Sequence, residues 1–332
     1  MADFKETVTS LFESVDIQVN GSRLCDPQIH NELFYSRVLS GGSLALGESY
    51  MDGWWDCEAL DEFSCRLLRG RIDKQVKVTN PSFLMHVLKA YLFNAQNINR
   101  AYIVGEEHYD TGNDLFKLML DQRMNYSCGY WRNAVNLEQS QVNKLDLACR
   151  KLHLKPGMRV LEIGCGWGAF AKYATENYGV SVHGITVSKE QMNYAKKSCE
   201  GLDATFELKD YRALNTKYDA IVSIGMFEHV GYKNYRDYME VAHRCLSDKG
   251  LFLLHTIGRN TPSRSTDPWT NKYIFPNGMV PSPAQISGAA QGIFVIEDWH
   301  NFGQDYDKTL TAWNENFQLN YDHLKEKYDD RF

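Results

Sequence analysis

The run Val160-Leu161-Glu162-Ile163 leading into Gly164-Cys165-Gly166-Trp167-Gly168 constrains the fold of this chain more than any other stretch. An apolar run ending in an acid reads as a strand. Alternating glycines read as a tight turn, needed where the backbone takes positive φ or lies directly against a ligand. Ala169-Phe170-Ala171-Lys172-Tyr173-Ala174 continues with helical character, so the unit is strand, glycine turn, helix. Its spacing is G-x-G-x-G, not the G-x-G-x-x-G that seats a pyrophosphate on a helix N-terminus in dinucleotide-binding folds. That difference favours S-adenosylmethionine over NAD. Cys165, inside the turn, reads as a small filler rather than a nucleophile.

The sequence downstream repeats the alternation. Val180 to Thr186 reads as a second strand, with Ser188 as the N-cap of the helix that follows. Tyr218 to Ile224 and Gly250 to His255 supply further apolar strands, separated by a helical stretch from Tyr235 to Leu246. Strands alternating with helices imply an α/β fold with a doubly wound, mostly parallel sheet. Ligands bind outside the carboxyl ends of the strands in such sheets. Glu162, Thr186, Asp210, Glu228 and His255 all lie at or just beyond apolar runs, and are the candidates for chemistry.

Composition narrows the function. At 332 residues the chain accommodates one catalytic domain and a smaller one. A net charge of -6 gives no global basic field, which argues against nucleic acid as a partner. Eight cysteines without a C-x-x-C pair, and no secretory leader, suit reduced thiols in a cytoplasmic protein. No apolar run approaches the ~20 residues of a spanning helix, so membrane contact is expected to be peripheral. Tyr126, Tyr130 and Trp131 cluster in sequence, as do Tyr50, Trp54 and Trp55. Most such rings pack, but aromatic faces also attract a sulfonium or a carbocation.

Residues 1–80 read as a small mixed α+β domain. It has an amphipathic helix at Phe4 to Phe12, a strand and turn at Ile17 to Gly21, and a short element at Asn31 to Leu39. A glycine-punctuated stretch at Gly41 to Gly53 and a helix at Glu58 to Leu68 complete it. Asn80-Pro81 marks the boundary. Residues 81–105 hold a connecting helix, apolar nearly all round from Phe83 to Phe93, which is buried or touches lipid. Residues 106–332 form the catalytic domain.

Gly47-Glu48-Ser49-Tyr50-Met51-Asp52-Gly53-Trp54-Trp55, Glu107 to Asp114 and Tyr126-Ser127-Cys128 occur in this order, followed by Gly225-Met226-Phe227-Glu228-His229-Val230-Gly231, Leu254-His255-Thr256-Ile257-Gly258 and Tyr273 to Gly278. On these blocks, from residue 30 onward, the chain resembles the cyclopropane-fatty-acyl-phospholipid synthases, a family of S-adenosylmethionine-dependent methyltransferases. The resemblance implies methylene transfer from S-adenosylmethionine to the cis double bond of an unsaturated acyl chain in a membrane phospholipid. It also implies bicarbonate bound as general base. The protein would be a homodimer on the inner face of the membrane, with N-terminal domains that assist lipid engagement. Carried over by position, Cys128 and Ile257 hold bicarbonate through backbone groups, and Glu228, His255 and Tyr306 through side chains. The cofactor meets Tyr126, Ser127, Gly164, Gly166, Thr186, Gln191, Asp210 and Tyr211.

The implied chemistry sets physical demands. An alkene is a weak nucleophile and must be held in line with the sulfonium methyl. The resulting carbocation must be kept from water, and a base must remove a proton from the new methyl as the ring closes. Related enzymes that leave a methyl branch or a hydroxylated methyl, and a non-catalytic binding protein, are the alternatives. Read without the family, Glu228 equally caps a helix, His255 is a core histidine and Tyr306 packs at a helix start. The family's usual acid after the second strand is absent, and Gln191 is expected to replace it. The chain stops at Asp330-Arg331-Phe332 where family members continue, so the last sheet strand is expected to be missing and Val295 to Trp299 to be the penultimate one. Trp269 to Met279 is expected to line the acyl path.

Overall fold

The structure, a computed structural model, describes residues 2–72 and 113–332. The expected connecting helix at 81–105 and the Glu107 to Gly112 portion of the family-like block lie outside the described residues. Of the described residues, 2–72, 267–274 and 328–332 form one compact unit, and 113–266 with 275–327 form the other.

In the first unit α1 (Ala2–Glu13), α2 (Phe34–Met51) and α3 (Leu60–Arg69) surround a two-stranded ladder of β1 (Gln28–Ile29) and β2 (Trp55–Asp56). The ladder is antiparallel, with Ile29 opposite Trp55. Apolar side chains spaced along α1, Val8 and Phe12, meet Ile17, Phe34, Trp55 and Phe63 in one core. Phe63 stands edge-on to Phe12 at 5.7 Å and tilted against Trp55 at 5.1 Å. The strand expected at Ile17 to Gly21 does not form. Ile17 is buried, but the next N–H, of Gln18, donates to the Asp26 carboxylate at 2.9 Å, so the ladder bonds a strand needs go to a side chain instead. The glycine-rich stretch is helical to Met51, broken only at Gly42 (φ 59°, ψ -140°). Gly47 sits inside that helix because a Cβ there would stand 2.3 Å from the Trp269 indole.

The second unit confirms the doubly wound sheet. Its elements are α4 (Asn113–Met119), α5 (Leu137–Lys151), β3 (Arg159–Ile163), α6 (Ala169–Tyr178), β4 (Ser181–Thr186), α7 (Lys189–Ser198), β5 (Ala204–Leu208), β6 (Tyr218–Ile224), α8 (Tyr235–Cys245), β7 (Leu246–His255), α9 (Pro283–Ala290) and α10 (Asp305–Asn320). The five strands lie in the order β5-β4-β3-β6-β7, all parallel. Side chains alternate across the sheet: Val160, Val182, Ala220 and Val222 face α5, α6 and α7, whereas Leu161, Ile163 and Ile221 face the Tyr235, Tyr238 and Ala242 side of α8. Ser188 caps α7 as expected, its Oγ accepting from Gln191 N. Ser282 and Gln285 form a reciprocal capping box on α9.

Differences from expectation fall at the sheet's margins. β5 was not anticipated, because in Ala204-Thr205-Phe206-Glu207-Leu208 only Phe206 is buried, the pattern of an edge strand. Val295 to Trp299 is not a strand. No described strand lies beside it to complete a ladder, Val295 is 86% exposed, and the segment is tethered instead by the ion pair of Asp298 with Lys151.

Phe63 is the centre of the first unit's core, so Phe63→Ala is expected to cost about 3–5 kcal/mol in urea unfolding. A loss under about 1 kcal/mol would show that these rings do not hold the unit together.

Candidate active site

The strand order reverses between β3 and β6, and the pocket opens at that point. Register aligns Ile163 with Ile185, and Ile224 with His255, so the turns that follow these strands share one edge of the sheet. Gly164 (φ 81°) and Gly168 (φ 86°) occupy the left-handed region. A Cβ on Gly164 would collide with Met226 at 2.7 Å, so this glycine is required both by conformation and by the close approach of the β6 turn. Gly164 N and Cys165 N both donate to Ile185 O, at 3.0 and 2.9 Å, which fixes the loop against β4.

The pocket is lined by Tyr126, Ser127, Gly164, Gly166, Thr186, Gln191, Asp210 and Tyr211, every residue expected to meet the cofactor. Its cavity volume is about 160 Å³. Thr186 Oγ1 donates to Gln191 Oε1 at 2.9 Å, leaving the Gln191 amide N–H groups available where the acid after the second strand is absent. Asp210 accepts from Arg212 N at 2.9 Å and pairs with its guanidinium. Of Trp269 to Met279, Asn277 lines the pocket and Phe275 stacks on His229 at 4.2 Å.

Beyond β6 and β7 the structure gathers the second set. Glu228, in the turn Phe227–His229, is buried, and its Oε1 accepts from Ile257 N at 2.7 Å. It therefore does not cap a helix. Its Oε2 is buried without a partner among the described residues, and burial holds the carboxyl above its usual range. His255, ending β7, stacks on Phe302 at 5.3 Å, and its buried Nδ1 has no partner among the described residues either. Among these residues it is therefore not a satisfied core histidine. Burial, and then the charge of Lys144, push the His255 imidazolium down to about 3. Burial pushes the Cys128 thiol up to about 11. Tyr306, on α10, lies edge-on to Trp313 at 6.1 Å, and its phenol is raised by burial and by the nearby Tyr126, Glu228 and Cys128. Ile257 is 39% exposed and reaches the cluster through its backbone.

Two polar residues at this site escaped the sequence reading. Lys144 is buried on α5, donating to Asn125 Oδ1 at 3.1 Å and Ser127 Oγ at 2.7 Å. Asn125 itself lines the pocket. The signal was helical spacing: Leu137, Gln141, Lys144, Leu145 and Ala148 share one face.

The family model described as mycolic acid cyclopropane synthetase matches residues 96–332. The chain is 53% identical over 325 residues to the cyclopropane-fatty-acyl-phospholipid synthase of Escherichia coli (strain K12), covering 97% of this chain and 84% of that one. Among solved structures, it is similar to the cyclopropane synthase MmaA2 from Mycobacterium tuberculosis (TM-score 0.65, 32% identity, 69% of this chain and 87% of that one). It is also similar to the mycolic acid cyclopropane synthase CmaA1 complexed with SAH and CTAB (TM-score 0.64, 34% identity, 68% and 86%).

Two measurements test this geometry. Gly164→Ala is expected to weaken S-adenosylhomocysteine binding by at least about tenfold, since it both strains φ and displaces Met226; unchanged affinity in calorimetry would place the ligand elsewhere. The unfolded chain takes up the His255 proton near pH 6.5 and the folded chain only near 3. Stability from this group is therefore complete above about pH 6.5 and lost as pH falls toward 3. The wild-type unfolding midpoint should fall more steeply across that window than that of His255→Asn, and equal slopes would show that the ring is not held neutral.

Proposed function

The chain belongs to the mycolic acid cyclopropane synthetase family, and from that premise we propose that it transfers a methylene group from S-adenosylmethionine to the cis double bond of an unsaturated acyl chain in a membrane phospholipid. Phospholipid is favoured over other lipids because the relative named for it matches 97% of this chain, whereas the cyclopropane mycolic acid synthase 3 of M. tuberculosis matches 65%. The observation that carries the catalytic reading is the pair of buried polar atoms without partners among the described residues, Glu228 Oε2 and His255 Nδ1, beside the cofactor pocket.

Buried polar atoms of this kind cost free energy unless something binds them. Their chemistry fits bicarbonate, which offers one O–H to a carboxylate and oxygens to N–H and O–H donors. Bicarbonate, when bound, would supply the base that takes a proton from the new methyl group. Glu228 holds its place because Ile257 N–H pins the other carboxylate oxygen; Ile257 thus orients Glu228 rather than standing free. His255, neutral at physiological pH, offers Nδ1 without a competing charge. Tyr306, kept protonated by burial, remains a hydroxyl donor. Cys128, next in sequence to the pocket residue Ser127, would add its backbone groups.

Tyr126 presents a ring within a cage of Phe116, Trp167 and Trp313, with the Phe116 and Trp313 centroids both at 5.2 Å from it. Aromatic faces there stabilise the sulfonium and the carbocation and exclude water. The alkene π electrons would form the new bond to the methyl carbon as its bond to sulfur breaks, releasing S-adenosylhomocysteine. Loss of one methyl proton then closes the ring and regenerates a neutral product.

We place the protein at the cytoplasmic face of the membrane as a peripheral homodimer. Among the described residues no helix is long and apolar enough to span a bilayer, and Leu24, Leu33 and Leu68 of the first unit are exposed. The eight thiols are unpaired, which suits a reducing compartment.

Incubation with S-adenosylmethionine and unsaturated phospholipid vesicles should yield fatty acids heavier by one CH2 and lacking the double bond, in proportion to added bicarbonate. A methyl-branched product, or rates indifferent to bicarbonate, would overturn the reading. Glu228→Gln is expected to lower turnover about 10²–10⁴-fold. Tyr306→Phe should lower it about tenfold with cofactor affinity unchanged, and undiminished turnover would remove Tyr306 from the site.

A further inference from the structure

Lys144 has no part in the mechanism above, yet it is a buried cation beside both halves of the site. The residue is 4% exposed. Its ammonium donates to two neutral oxygens, Asn125 Oδ1 and Ser127 Oγ, and forms no ion pair with a carboxylate of the described residues. An ammonium has three donors, so one remains, and a buried charge without a countercharge is costly. Burial accordingly pushes it down to about 8. The Asp121 charge offsets part of this cost without touching the ammonium. Asp121 accepts from Arg123 N, Asn125 N and the Asn125 amide, and burial holds the Glu162 carboxyl well above its usual range. The local surroundings are therefore arranged for an anion that arrives from outside.

The hydrogen bonds say where that anion sits. Asp121 Oδ2 takes the Asn125 amide N–H at 2.9 Å, which turns the amide oxygen toward Lys144. Lys144 donates in turn to Ser127 Oγ at 2.7 Å. A hydroxyl has one proton, and with its oxygen accepting from Lys144, Ser127 directs that proton elsewhere. Ser127 lines the pocket, and its carbonyl is held by Gln141 Nε2 at 2.9 Å, so the backbone beneath the hydroxyl is fixed. The pocket crosses the strand ends from Asp210 after β5 to Gly225 after β6, and a Cβ on Gly225 would lie 3.7 Å from Ser127. Ser127 thus stands at the end nearest Glu228 and His255. Were the sulfonium directed toward those residues, the amino-acid portion bonded to the same sulfur would lie at this end.

We propose that Lys144 is a positioning residue for the α-carboxylate of S-adenosylmethionine, acting through Ser127, whose hydroxyl it turns into the pocket as a donor backed by a positive charge. The inference rests on the reading of this pocket as the S-adenosylmethionine site. It makes the carboxylate a condition of tight binding, so the enzyme would discriminate against sulfonium nucleosides that lack it.

The test compares S-adenosylmethionine with decarboxylated S-adenosylmethionine, which keeps the sulfonium and the adenosine, by calorimetric titration of the full chain. The wild type is expected to prefer the carboxylated ligand by about ten- to a hundredfold. Lys144→Met should bring that ratio close to one by weakening only S-adenosylmethionine, and Lys144→Arg should restore part of it. Equal weakening of both ligands would make Lys144 merely structural and overturn the proposal. So would a wild type with no preference, or a Lys144→Met that keeps the ratio but raises the bicarbonate concentration for half-maximal turnover, which would assign the charge to bicarbonate. A wild type that binds neither ligand would reject the cofactor reading itself. Should Lys144→Met fail to fold, Ser127→Ala carries the test: the same collapse is expected, and an unchanged ratio overturns the proposal.

Discussion

The parallel register of the central strands is the constraint on which the rest of the catalytic unit depends. Because β3 pairs with β4 on one side and β6 on the other, the chain must leave the sheet twice at the same edge, once at Gly164 and once at Gly225. The two turns pack so closely that only hydrogen fits between Gly164 and Met226. The same register carries His255 to the level of Ile224 and brings Ile257 N within reach of Glu228. The pocket and the placement of Glu228 and His255 are thus two consequences of one pairing pattern, and a slip in register would dismantle both.

Around that edge the protein keeps polar groups dry and under-coordinated. Glu228, His255 and Lys144 each have hydrogen-bonding capacity that no described residue takes up, and each is shifted by burial away from its charged form. Such groups cost stability in the empty protein and are offset when small polar species bind. The hydrophobic layers on either side of the sheet supply the rigidity that holds them in place.

What could be read from the sequence follows the range of the forces involved. The glycine turn, the Ser188 cap and the buried strands are set by neighbouring residues, and all were legible. Gln191 and the other residues that line the pocket followed from the family blocks, whereas Tyr306 has no local signature, since its place depends on how α10 packs. The extent of α2 was hidden because glycine usually breaks a helix, and only Trp269, more than two hundred residues away, explains Gly47. β5 and the Val295 segment were misjudged because strand formation depends on a neighbour that sequence periodicity does not show. Lys144 was hidden because a lysine in a helix ordinarily faces water.

The raised thiol of Cys128 has a bearing on survival of the enzyme itself. The thiolate is the form of cysteine that reacts with alkylating agents and oxidants. Cys128 is 8% exposed, and burial pushes its thiol up to about 11, so near neutral pH it keeps its proton. Electrophiles and oxidants that seek thiolates accordingly find little purchase there.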